Sequence, residues 1–377
     1  MLTATTVRTL TIDVVYIKAG GGHRAAAVAL DAAIREQDLP WRVRLVDLVD
    51  ILDPQDIGRR ITDYYNVRLT HGLTLGLTRE RHVLQAALRM GHRAVTRRMR
   101  THWSASRPDL VVSLVPHFNR QMFDSVRLAL PRTPYVTVLT DFADLPPRYW
   151  IEPRQAQHWI CGTPRAVLQA QAAGCDPARI HRTSGMVIHP DFYQDDPVDR
   201  AAGMLSLGLD PSRPTGLVMF GGHGSRQMRG IVKRLADTQL IVVCGHNADL
   251  ASSIRQIESS APRVVVGFTS EVRRYMRLAD FFIGKPGPGS ISEALSQRLP
   301  VIVVSNAWTL HQERYNAEWI EENDVGVVLE SFRDIREGVR EVVDNMAAYR
   351  AAAGRITNRA VFEIPALLEN ILTKNLW

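Results

Sequence analysis

Phe281-Phe282-Ile283-Gly284-Lys285-Pro286-Gly287-Pro288-Gly289-Ser290-Ile291-Ser292-Glu293-Ala294-Leu295 is the stretch on which the fold turns. Three large apolar residues ending at a glycine read as a short buried strand. The Pro/Gly run after them is a rigid loop, and a helix is expected to start near Ser290. Strand, tight loop and helix form the unit from which parallel sheets are built. The amides at the helix N-terminus suit a diphosphate. Glu293 lies one helical turn in, where a carboxylate can accept both hydroxyls of a ribose. A first-turn acid or capping-box partner is the competing reading.

Working outward, the same unit occurs twice more. Lys18-Ala19-Gly20-Gly21-Gly22-His23-Arg24 follows an expected strand at 9–17 and opens an expected helix at 24–36. Its spacing is not the Gly-x-Gly-x-x-Gly dinucleotide fingerprint. The glycines let backbone approach a ligand, and the helix behind them adds its positive end. His23 stands at the mouth of this turn with a side chain that titrates near neutrality, which suits proton transfer; helix capping weighs equally. Phe220-Gly221-Gly222-His223-Gly224-Ser225 repeats the arrangement after a strand at 216–220, making Gly222 and His223 candidates for lining a cleft. A purely structural turn would also explain those glycines. Further on, Gln312 and Glu313 fall at a loop-to-helix junction, able either to bond a polyhydroxylated sugar or to cap the helix.

Short apolar runs alternate with amphipathic stretches along most of the chain, the pattern of an α/β protein with parallel sheets. Strands are expected at 9–17, 42–47, 110–114, 135–139, 158–161 and 180–183, with helices at 24–36, 83–101, 120–130 and 164–173. An acidic, proline-containing stretch at 191–214 reads as a linker. Strands resume at 216–220, 240–244, 263–266, 281–283, 301–304 and 325–328, and 335–372 reads as terminal helices. The expected units are therefore 1–195, 196–350 and a closing segment 351–377 that packs back toward the first. Ligands belong in the cleft between two such domains, where the carboxyl ends of the strands gather their loops.

Length and composition agree. The 377 residues suit two domains of about 150–200 residues, and 45% hydrophobic with 23% charged residues excludes a disordered or fibrous chain. Cys161, Cys175 and Cys244 are odd in number and widely spaced, so neither a disulfide framework nor a zinc site is supported, and free thiols in a reducing compartment are expected. No apolar run reaches the ~18–20 residues needed to span a bilayer, and the start of the chain lacks a signal pattern. The expected location is cytoplasmic, peripheral on the inner face of the membrane. The net charge of +7 is local: residues 59–100 hold ten arginines against Asp63 and Glu80, a formal +8. Leu69, Leu73, Leu75 and Leu77, then Val83, Leu84, Ala87, Leu88 and Val95, add apolar character to that stretch. Cationic plus apolar suits the interface of an anionic membrane. A nucleic-acid groove is disfavoured because only Tyr64 and Tyr65 offer stacking; a solvated basic face is the plain alternative.

Taken in order, the motifs resemble glycosyltransferase family 28, and within it the monogalactosyldiacylglycerol synthases and the bacterial processive diacylglycerol glucosyltransferases. They are Gly-Gly-Gly-His-Arg-Ala-Ala-Ala (20–27), Leu-Thr-Asp-Phe (139–142), Trp-Ile-Cys (159–161), Gly-Met-Val-Ile-His-Pro-Asp-Phe (185–192), Phe-Gly-Gly-His-Gly (220–224), Val-Cys-Gly-His-Asn (243–247), Gly-Phe-Thr (267–269), Lys-Pro-Gly-Pro-Gly-Ser-Ile-Ser-Glu-Ala-Leu (285–295) and Gln-Glu-Arg-Tyr-Asn-Ala (312–317). The resemblance covers about residues 10–330. It implies a GT-B fold, two Rossmann-like domains facing each other across a cleft. It also implies transfer, with inversion, of galactose or glucose from UDP-galactose or UDP-glucose to a diacylglycerol-type acceptor, giving a β-glycolipid. Other acceptors (polyprenyl-linked or soluble), a UDP-sugar epimerase and a non-catalytic nucleotide-sugar-binding protein are the alternatives. On the matching positions, Gly267 and Phe268 would meet the uracil, Glu293 the ribose, and Gly287 to Ser290 the diphosphate, with Gly22, Gly222, His223 and Lys285 also donor-binding. Gln312 and Glu313 would meet the sugar hydroxyls. His23 matches the catalytic base, with Asp141 as second candidate or orienting partner. No metal or other cofactor is expected, since helix N-termini and basic side chains would offset the charge of departing UDP. His189 stands where the family often has arginine, a departure that bears on how the diphosphate is neutralised.

Overall fold

The structure is a computed structural model describing residues 9–18, 21–52, 77–197 and 199–375. Strands β1 (Leu10–Tyr16), β2 (Trp41–Asp47), β3 (Leu110–Ser113), β4 (Tyr135–Val138), β5 (His158–Cys161) and β6 (Ile180–Arg182) form one sheet. A second sheet comprises β7 (Thr215–Met219), β8 (Gln239–Val243), β9 (Arg263–Val266), β10 (Phe281–Ile283), β11 (Val301–Val304) and β12 (Gly326–Leu329). Every pairing is parallel. The orders are β2-β1-β3-β4-β5-β6 and β12-β11-β10-β7-β8-β9. Counted from its own first strand, the second sheet has the 3-2-1-4-5-6 order of the dinucleotide-binding fold, whereas the first runs 2-1-3-4-5-6. Direction of winding reverses between β1 and β3, and between β7 and β10. Loops leaving the carboxyl ends of those strands splay apart there and open a crevice.

Phe281 and Phe282 show why these strands carry no polar alternation. Both are fully buried, yet on opposite faces: Phe281 packs with Met228, Ile231 and Ile302, Phe282 with Leu217, Ile291 and Val301. A strand covered by helices on both sides buries every side chain, each worth about 1.5–3 kcal/mol. The last helix, Ala360–Asn375, places Val361, Ile364, Leu368 and Leu372 in the core of the first sheet, among Leu30, Ile34 and Val14.

One expectation needs correction. The single helix at 83–101 is two, Leu77–Met90 and His92–Ser106, parted at Gly91, where the second helix takes its cap without a side-chain bond. Within the expected linker, Asp199 caps helix Arg200–Ser206 by accepting from the Ala202 amide at 2.9 Å, and Met204 is fully buried. Both caps are local features, a glycine at one and a carboxylate at the other, that the hydrophobic pattern alone does not reveal.

Candidate active site

Five loops converge on the carboxyl edge of the second sheet. After β10, helix Pro288–Ser296 begins at Gly287 with no side-chain cap, leaving its first amides to a ligand. Asn316, fully buried, donates from Nδ2 to the Pro286 carbonyl at 2.8 Å and so pins this loop. Glu293 is partly buried in this helix, with no acid in the first turn, so the capping-box reading fails. Burial pushes its carboxyl up to about 7, and no hydrogen bond or ion pair engages it among the described residues. An unpartnered carboxylate beside open amides is equipped to accept hydroxyls.

The loops after β7, β8 and β9 meet at Gly222, Gly245, His246 and Phe268. Gly245 has φ +60°, and a Cβ there would stand 2.1 Å from the Gly222 carbonyl oxygen, so glycine alone lets the two loops touch. The His246 amide donates to that oxygen at 2.9 Å. Phe268 is 62% exposed yet stacked on His246, ring centroids 3.9 Å apart at 15°. His223 lies 6.1 Å from His246. A flat aromatic surface is thus offered to a planar ring beside Gly267. After β11, Gln312 is partly buried, whereas Glu313 is buried and accepts from Lys285 Nζ at 2.8 Å. Glu313 opens helix Arg314–Glu322 without capping it through its side chain. Its carboxylate is held by Lys285, and access to a sugar hydroxyl is shared with that cation.

From the first domain, His23 follows Gly21, which caps helix Gly22–Glu36 at φ +85° with no side-chain bond. The capping alternative for His23 is therefore absent: Nδ1 lies 3.1 Å from Thr140 Oγ1, across the sheet. Its pKa is lowered to about 4, by burial first and by the Lys285 charge second, while the Leu114 carbonyl works the other way. Among the described residues no hydrogen bond joins Asp141 to His23. Trp150 stands between them, its ring 5.8 Å from the imidazole and its Nε1 donating to Asp141 Oδ2 at 2.7 Å. Burial raises the Asp141 carboxyl to about 7; the Trp150 bond and Lys285 oppose this, and Glu313 adds to it. Lys285 thus acts electrostatically on both first-domain groups and Glu313 on Asp141, and the two edges face each other. Phe142 packs edge-on against Trp319 at 4.9 Å, and Arg165 lies 4.1 Å over Tyr315, holding the domains together beside this point.

His189 caps the turn Pro190–Tyr193, its Nδ1 accepting from the Asp191 amide at 3.3 Å, so here it serves its own loop. Thr140, Trp150, His246 and Asn316 belong to the constellation although the sequence alone does not single them out. Three of them stand inside quoted motifs; nothing in the sequence marks Trp150. Gly20 and residues 59–76 lie outside the described residues. In the helices C-terminal to that stretch, Leu88 is buried, whereas Val83, Leu84 and Met90 are exposed beside exposed Arg89, Arg93 and Arg97. Among the described residues no helix is long and apolar enough to cross a membrane, and no His/Cys/Asp/Glu cluster could hold a metal ion.

Residues 23–188 match the model of the monogalactosyldiacylglycerol (MGDG) synthase family, and residues 217–365 that of the glycosyltransferase family 28 C-terminal domain. Monogalactosyldiacylglycerol synthase 1 of Arabidopsis thaliana is 28% identical over 342 residues, covering 85% of this chain and 62% of that protein. The processive diacylglycerol β-glucosyltransferase of Staphylococcus carnosus is 27% identical over 226 residues, 58% of this chain and 56% of the relative. The chain thus spans rather less than two thirds of the length of the plant relative. In three dimensions it is similar to MurG of Acinetobacter baumannii (TM-score 0.59, 11% identity, covering 96% of this chain and 100% of that one). The glycosyltransferase VinC, solved with dTDP, gives a TM-score of 0.61 at 14% identity, covering 97% and 100%. These likenesses establish a GT-B-like fold of two α/β domains. With one family model on each domain, the chain is homologous to the monogalactosyldiacylglycerol synthases and to glycosyltransferase family 28.

Proposed function

We propose that this protein is an inverting glycosyltransferase that moves galactose or glucose from a UDP-sugar to a diacylglycerol-type acceptor at a membrane surface. The observation that carries the reading is the juxtaposition of His23, Trp150 and Asp141 on one edge with Lys285, Glu313, the uncapped helix at Pro288 and the unpartnered Glu293 on the other. Uracil would lie on the Phe268–His246 surface beside Gly267, ribose at Glu293, and the diphosphate against the amides of Gly289 and Ser290 with Lys285 alongside. As the acceptor oxygen attacks the anomeric carbon and UDP departs from the opposite face, those amides and Lys285 take up the developing charge. The acceptor hydroxyl loses its proton to one of two groups. His23, at about 4, is neutral and able to accept throughout the physiological range, and Asp141, at about 7, is matched to neutral pH. Exposed Val83, Leu84 and Met90 among arginines support docking on an anionic bilayer, which would keep the protein peripheral on the inner membrane face.

The test is to incubate the protein with UDP-galactose and UDP-glucose, with and without diacylglycerol in anionic liposomes, and follow UDP and lipid product. Glycolipid formation supports the reading; sugar release or epimerised donor without lipid product refutes it. His23→Ala should cut turnover by about 10²–10⁴-fold if His23 is the base. The acid limb of kcat/KM separates the two groups, falling near pH 4 for His23 and near pH 7 for Asp141.

A further inference from the structure

The amino edge of the second sheet, opposite the loops that form the cleft, carries a different constellation. Asp280 precedes β10 and Arg298 precedes β11, so both lie where the parallel strands begin. A cavity of about 510 Å³ opens there, lined by Arg200, Arg277, Arg298, Arg350, Asp280 and Gln297 among others. Asp280 is fully committed. Its Oδ2 accepts from Arg200 at 2.7 Å and from the Thr215 amide at 2.9 Å, and its Oδ1 accepts from Arg350 at 2.8 Å. Arg277 donates to the Asp196 carbonyl, and no carboxylate pairs with Arg277 or Arg298 among the described residues. Four guanidiniums against one carboxylate leave a surplus of three positive charges around one cavity.

The cavity also touches both passages of chain between the domains. Arg200 opens helix Arg200–Ser206 on the way into the second domain. Arg350 lies in Met346–Arg355, the last helix before the chain returns to the first. We infer that this cavity is a second anion site, apart from the cleft, for a phosphate-type oxyanion of two or more negative charges. Planar guanidinium forks match tetrahedral oxyanions, and several converging on one space favour a multiply charged one. The negative end of helix Pro288–Ser296 acts against an anion here, but its reach is one turn, and the surplus of guanidiniums outweighs it. A bound anion would tie the two passages to each other and to the sheet.

The experiment is calorimetric titration of the full chain, saturated with UDP, with inorganic pyrophosphate, inorganic phosphate and glycerol 3-phosphate. The wild type is expected to bind one further equivalent, with Tm rising by several degrees at a hundredfold excess over Kd. The Arg277→Gln/Arg298→Gln double variant should bind that equivalent at least tenfold more weakly while its Tm without anion and its UDP affinity stay unchanged. Those two residues are chosen because they do not hold Asp280. Tighter binding of glycerol 3-phosphate assigns the site to a lipid headgroup, and tighter binding of the inorganic anions to a free ligand. No further equivalent in the wild type, or undiminished binding in the double variant, overturns the inference. If the double variant loses Tm without anion, the single variants Arg277→Gln and Arg298→Gln are titrated instead; undiminished binding in both at unchanged Tm also overturns the inference.

Discussion

Asp141→Asn should stabilise the protein and disable it, and the size of the first effect follows from the site. Asp141 is 7% exposed, and its carboxyl rises from 3.8 to about 7, chiefly through burial. A raised carboxylate pKa means that the folded chain binds a proton the unfolded chain has released. Stability from this group is therefore intact below pH ~4, lost progressively between pH ~4 and ~7, and fully lost above that. Three units at 1.36 kcal/mol each make the penalty about 4 kcal/mol at pH 8 and about 2 kcal/mol at pH 5. Asparagine keeps the shape, can still accept from Trp150 Nε1, and carries no charge to desolvate. The variant's advantage should therefore grow by on the order of 2–3 kcal/mol from pH 5 to pH 8. Unfolding entropy of ~2.1 cal/mol/K per residue over the whole chain makes the full 4 kcal/mol worth about 5 °C in Tm. Thermal unfolding of both proteins at half-unit pH steps measures it, with turnover followed in parallel and expected to fall at least tenfold. A Tm difference that is flat with pH would refute the argument, because the shift would then not be a property of the folded site.

Three other outcomes test the donor side. Glu293→Gln should raise KM for the donor at least tenfold and abolish discrimination between UDP and 2′-deoxy-UDP in a binding titration, since a carboxylate accepts two hydroxyls and an amide only one bond as readily. Gly245→Ala puts a Cβ 2.1 Å from the Gly222 carbonyl at φ +60°, so Tm should fall and UDP binding weaken together; an unchanged Tm would show that the loops yield. Phe268→Ala removes one partner of the exposed stack with His246, and UDP affinity should drop roughly threefold to tenfold, as expected for an aromatic contact of about 0.5–1.5 kcal/mol.

Strands β5, β9, β10 and β11 fall where the sequence places them, because short runs dominated by aromatic and β-branched residues, each with a Gly or Pro at one end or both, have few other solutions. The break at Gly91 and helix Arg200–Ser206 were not legible, since each depends on a cap whose effect is local and small beside the hydrophobic pattern. Within the site, glycine loops and Glu293 could be read because backbone approach and a carboxylate at a helix start leave a linear signature. Trp150 could not, because its role rests on two contacts, to His23 and to Asp141, that are 127 and 9 residues away in sequence.

By itself the sequence determines the chemistry on offer: two α/β units, glycine-rich loops at helix starts, a histidine and a set of carboxylates, and a cationic stretch that carries the net charge. Only the tertiary structure decides how those groups behave. It brings Lys285 and Glu313 up to His23 and Asp141, and it inserts Trp150 where the sequence leaves a direct His–Asp bond open. It also parts the pKa values of two first-domain groups to about 4 and about 7. The physical reason is that desolvation and charge–charge interaction depend on distance in space, which strand order and domain packing set and residue spacing along the chain does not.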